Sequence, residues 1–215
     1  MFLSINRVVK IMVVTDFFVN SAFGSFAPIF AIFITNQIAG GSVQIAGFAT
    51  SVYWIIKSLI QLPIARFLDK TDGETDDFWA MFLGFFMSGL VPFMYMFITE
   101  PWHLYMAQAF LGVSMAIAVP AWYSIFTRHV DKWRISFEWS LESVFSVGFA
   151  TAGASALGGY IAETFGFQTL FFCAGVLAVL GSFLLLFIQP SLIRKKGSPV
   201  RVLPERPHRR TAHHS

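Results

Sequence analysis

Polar and apolar residues along this chain fall into blocks rather than into a one-faced helical or strand pattern. Apolar blocks occupy 11–35, 46–67, 78–98, 104–126, 135–158 and 169–188. About 20 apolar residues at about 1.5 Å per residue cross the hydrocarbon core of a bilayer. Within hydrocarbon each crossing segment must satisfy its own backbone groups, which predicts helices. A barrel would show alternating segments of roughly ten residues, and none is visible. The connections 36–45, 99–103 and 159–168 leave no room for a soluble domain and predict antiparallel neighbours. The expected fold class is all-α, a polytopic membrane protein with six transmembrane helices in 1–190 and a basic, disordered tail over 191–215.

Composition agrees with the blocks. Of 215 residues, 56% are hydrophobic and 13% charged, and 26 are Phe. A soluble domain carries about 25% charged residues, so the shortfall excludes a soluble enzyme, a nucleic-acid binder and a disordered chain. The first apolar block is too long for the core of a signal peptide and is read as a span. A single cysteine, Cys173, excludes a disulfide framework and a cysteine-based metal site. No cofactor, metal or catalytic residue is expected.

Charge placement supplies orientation. Arg7 and Lys10, then Arg66 and Lys70, then Arg128, Lys132 and Arg134, then seven residues of the tail share one side, which makes 14 of the 15 Lys and Arg. The three opposite connections carry none. Basic loops stay in the cytoplasm, so both termini are expected there, with the plasma (inner) membrane as the location. The basic pI of about 9.2 therefore reports orientation rather than affinity for phosphate.

The remaining basic residue, Lys57, lies mid-span with about 16 Å of helix on either side. An uncompensated Lys at that depth costs roughly 2.5–3.5 kcal/mol on insertion scales. Tyr53 and Gln61 sit four residues either side and share its face. A structural ion pair, a wall of a solute path and a lipid-facing Lys are all open readings. Asp16 and Asn20 form a second polar face on the first span, as a proton site, an ion-pair partner or a capping carboxylate. Glu138 and Glu142 repeat the spacing at the start of the fifth span. Glu138 reads as an interfacial residue and Glu142, being deeper, as the better candidate for coupling. The fourth span offers Gln108 with Tyr105, Ser114, Trp122 and Tyr123, whereas the third and sixth hold no charge and are expected to face lipid.

Glycines Gly148, Gly153, Gly158 and Gly159 give the fifth span a small-residue face suited to close helix packing. Pro28, Pro63, Pro92 and Pro120 fall within the first four spans and favour kinks.

The loop Ala65-Arg66-Phe67-Leu68-Asp69-Lys70 resembles the Gly-x-x-x-Asp-Arg/Lys motif between helices 2 and 3 of the major facilitator superfamily, with Ala65 in place of the glycine and an acidic run after it. The connection Phe126-Thr127-Arg128-His129-Val130-Asp131-Lys132 and the stretch from Leu157-Gly158-Gly159 to Phe165-Gly166-Phe167 are also similar to that family. The resemblance implies two inverted three-helix repeats, a gating role for Asp69, Lys70 and Arg128, and a central cavity faced by helices 1 and 4. It implies helices 2 and 5 at a domain interface and helices 3 and 6 outside. Family members have twelve helices in two halves that rock about a solute. This chain resembles the N-terminal half, which implies a homodimer or a second six-helix half.

The expected function is transport of a small solute by alternating access, with proton coupling. Its path would be Asp16, Asn20, Tyr53, Lys57, Gln61, Gln108 and Glu142. The expected partners are the lipid bilayer, the solute, protons and that second half, with no nucleic acid. A non-transporting subunit or a transporter fragment is the alternative. An intramembrane enzyme is less favoured, because all five His lie outside the spans.

Overall fold

The computed structural model describes residues 5–70 and 73–192. The tail beyond 192 and Asp72 of the acidic loop lie outside the described residues. The helices are α1 (Arg7–Phe26), α2 (Phe30–Gln37), α3 (Val43–Leu68), α4 (Thr75–Tyr95), α5 (Pro101–His129), α6 (Ile135–Leu141) and α7 (Ala150–Leu184), with no strand among the described residues. A 3₁₀ turn over Ala27–Ile29 joins α1 to α2, a π-helical stretch over Glu142–Phe149 joins α6 to α7, and a 3₁₀ segment over Leu185–Ser191 closes the described chain.

Five stretches are long and apolar enough to cross a membrane: Arg7–Gln37, Val43–Leu68, Thr75–Tyr95, Pro101–His129 and Ile135–Ser191. Local chemistry sets their ends. Asn6 accepts the Val8 amide at 2.9 Å and Ser42 accepts the Ile45 amide at 3.2 Å, each satisfying an otherwise orphaned donor of a first turn. Of the four prolines only Pro28 coincides with a break, at the 3₁₀ turn, while Pro63, Pro92 and Pro120 remain inside continuous helices.

The last stretch is 57 residues long, far more than one crossing needs. It is broken at Gly166, whose φ of 85° and ψ of 163° are open to glycine alone. Phe149 and Leu177 would be about 42 Å apart on a continuous helix, yet they wall the same cavity of about 330 Å³. The chain therefore doubles back at Gly166. The expected connection over 159–168 is helical up to this point, because Glu163 and Thr164 are exposed and a helix end tolerates polar side chains there.

Packing follows this hairpin. Both arms of α7 lie against α1, the second arm also lies against α4, and α5 is flanked by α3 and α4. Helix α3 packs chiefly on α5 alone. Only 11% of its most apolar stretch is buried, against 50% for α4. This overturns the expectation that the charge-free third span is the outward one: α4 is wedged between α5 and α7, and α3 presents Trp54, Ile55, Leu59 and Leu62 outward.

Lipid supplies no hydrophobic drive for helix association, so close contact must. At Gly158 a Cβ would collide with the Ser25 backbone carbonyl, and at Gly84 one would lie 2.6 Å from the Ser114 carbonyl. Gly153 and Gly159 face open space and Gly148 meets only the Ser143 carbonyl at 3.6 Å, so Gly158 alone of the four expected packing glycines is a close contact. Two hydroxyls bridge the same seam: Ser146 Oγ donates to the Val13 carbonyl and Ser155 Oγ to the Gly24 carbonyl, each at 2.9 Å. Phe26, Phe33, Phe78, Phe85, Phe126 and Phe171 are buried in the core. Phe171 meets Phe33 edge-on at 4.7 Å between centroids and Tyr95 at 5.3 Å.

Candidate functional site

A cavity of about 200 Å³ lies where α1, α4, α5 and the π-helical stretch converge. Its polar lining is Asp16 and Asn20 from α1 and Glu142 from the first π-helical residue. Phe85, Met115, Trp122 and Tyr123 form most of its walls. Asp16 and Asn20 arrive together because four residues make about one helical turn. Glu142 is placed by the π-helix, a rare widened form that frequently marks functional sites. Ser146 fixes that stretch to α1 through the Val13 carbonyl.

Asp16 and Glu142 are 6% and 8% exposed and line the same cavity. Glu142 Oε2 and Trp122 Nε1 are buried and have no hydrogen-bond partner among the described residues. Trp122 lines the same cavity as Asp16. No Lys, Arg or His lines the cavity. Two buried carboxylates with no cation between them are costly, and the arrangement invites a proton or another positive charge.

The other path residues lie elsewhere. Lys57 is half-buried, with its Nζ 4.7 Å from the Trp54 ring centroid and 5.7 Å from that of Tyr53. The ammonium thus rests on aromatic faces of its own helix, and none of Tyr53, Lys57 or Gln61 lines the acidic cavity. Gln108 is buried on α5, about two turns before Met115.

A second cluster ties the helix ends on the side of Arg7 and Lys70. Arg128 donates to Asp77 Oδ2 at 2.8 Å and to the Gly73 carbonyl at 3.2 Å, and Ser124 Oγ donates to the same Asp77 oxygen at 2.8 Å. His129 Nε2 lies 3.1 Å from Glu74 Oε2, and Asn6 donates to the His129 carbonyl at 3.4 Å. Asp69 and Lys70 are exposed and hold no ion pair among the described residues. Arg128 belongs to this cluster, but its acidic partner is Asp77 rather than Asp69. The sequence shows 72–77 only as an acidic run after the motif. The missed signal is position, since Asp76 and Asp77 open a helix and a carboxylate in a first turn is favoured by the helix dipole. Trp122 was noted on α5 as a polar aromatic, but its placement beside Asp16 was not deducible from spacing.

Among the described residues no group of three or more His, Cys, Asp or Glu is placed to hold a metal ion. A family model described as Major Facilitator Superfamily matches residues 12–211. No curated protein matches the chain at a significant level.

Proposed function

The chain belongs to the Major Facilitator Superfamily, and on that premise we propose that it is one half of a proton-coupled secondary transporter working by alternating access. Members of this family are transporters rather than enzymes, and the long apolar helices make the chain an integral membrane protein. The observation that carries the finer reading is the cavity holding Asp16 and Glu142, both buried and without a lining cation. A group that binds and releases protons inside a bundle is what coupling to a proton gradient needs.

The reading has six crossings, with the reversal at Gly166 separating the fifth from the sixth, in two inverted three-helix repeats within 1–190. The basic side and both termini are cytoplasmic, in the plasma (inner) membrane. Six helices do not enclose a site between halves, so a second six-helix half, from a second copy or from further sequence, completes it. The outward apolar face of α3 supports this, because the helix packs chiefly on α5 and also carries Lys57, Tyr53 and Gln61 among its partly buried residues. We place Lys57, Tyr53, Gln61 and Gln108 on the solute path toward that second half. The Arg128–Asp77 cluster, with Asp69 and Lys70 beside it, serves as the cytoplasmic gate.

Uptake of a panel of small solutes into proteoliposomes, with and without an imposed proton gradient, tests the reading. It expects at least one solute to accumulate only with the gradient. Lys57→Met is expected to abolish that accumulation while leaving membrane insertion intact, and unchanged uptake would remove Lys57 from the path. Accumulation that ignores the gradient would defeat the proton-coupled reading.

A further inference from the structure

We infer that the cavity around Asp16 and Glu142 binds a small organic cation of the alkylammonium class, on the same oxygens that take the proton. The inference rests on the transporter reading above and names the cargo of its site. Three observations converge. Two carboxylates, both more than nine-tenths buried, share the cavity, and Glu142 Oε2 has no hydrogen-bond partner among the described residues. The titratable groups that face it are Asp16 from α1, Tyr123 from α5 and Glu142 from the π-helical stretch, with none from α4, so no lining group supplies positive charge. The rest of the wall is Phe85, Trp122, Tyr123 and Met115.

Those walls separate the classes of cation. A sodium ion needs several oxygen ligands in its shell, whereas aromatic faces and a thioether offer it little. An alkylammonium keeps its charge beside the carboxylates and lays its apolar groups against aromatic faces, which attract cations by their quadrupole. The volume, about 200 Å³, lies below the range of about 300–1,000 Å³ usual for drug-sized ligands, so the cation is small. An anion would find no cationic partner within this cavity, because Lys57 lies outside it.

Sharing the oxygens sets a sign. Wherever the site is protonated when empty, binding one cation releases one proton, so affinity rises about tenfold per unit increase in pH and then levels off once the proton is already gone. Falling pH weakens binding.

Calorimetric titration of the purified full-length chain in nanodiscs decides it, using choline, its uncharged carbon isostere and sodium chloride. The expected result is choline binding that releases about one proton, read by repeating the titration in buffers of different ionisation enthalpy. The isostere and sodium are expected to bind at least tenfold more weakly. Asp16→Asn and Glu142→Gln are each expected to weaken choline binding at least tenfold, and the wild-type comparison of choline with its isostere stands without them. Equal binding of the isostere would overturn the inference by showing a merely apolar site, and preferential binding of sodium would overturn it in favour of a metal-ion site. Absence of choline binding, with proton uptake that still depends on Asp16 and Glu142, would overturn the cation inference and leave the proton-coupled reading standing. Absence of both would remove the two together.

Discussion

Asp77 shows how one side chain is held by several elements at once. Its side chain is 2% exposed, and one oxygen receives both Arg128 and Ser124 while the other is buried without a partner among the described residues. Arg128 is 39% exposed, so solvent weakens the pair, yet removing it strands a buried carboxylate. Arg128→Ala is therefore expected to cost about 1–3 kcal/mol, seen as a lower melting temperature in detergent. Lys70→Ala, at an exposed position without an ion pair among the described residues, is expected to leave melting unchanged; equal losses would show that the Arg128 contact contributes nothing special. This contrast was invisible in the sequence. Asp69 and Asp77 are both acids beside the same loop, and only the turn of α4 aims one of them at α5. Asp16, Asn20 and Glu142 were legible as candidates because charges in apolar blocks stand out. Their convergence was not, since it depends on a π-helical stretch that leaves no mark in hydropathy.

At the scale of elements, the seam between α1 and α7 is set by contact distance. A Cβ at Gly158 meets the Ser25 backbone, whereas one at Gly159 meets nothing within 4 Å. Gly158→Val should cost about 1–3 kcal/mol or more through overpacking, while Gly159→Val should be close to neutral; thermal unfolding of the two side by side checks this. Gly166→Ala is expected to cost about 1–3 kcal/mol from backbone conformation alone, since nothing lies within 4 Å of its Cβ position. A neutral Gly166→Ala would mean the reversal is not locked by this residue. Apolar blocks stand out in the sequence because a bilayer imposes length on every crossing. The faces do not. Blocks apolar all round carry no stripe to say which side meets protein, and so the charge-free third block reads as an outer helix although α4 is wedged between α5 and α7.

For the whole molecule, the pieces form a bundle with acids inside, basic residues toward one end and an unpartnered apolar face on α3. Membrane class and family were legible because composition and topology depend on the order of blocks and loops rather than on any contact. The step from family to activity rests on Asp16 and Glu142, and one measurement tests it most directly. Proteoliposomes carrying the full-length chain and a trapped pH-sensitive dye are held at equal pH on both sides and given choline outside. The account predicts a choline-dependent change in internal pH that disappears in Asp16→Asn and in Glu142→Gln, with the variants incorporated to the same level. An internal pH that responds to choline equally in the wild type and both variants would contradict it, as would a wild-type protein that moves choline with no proton movement at all.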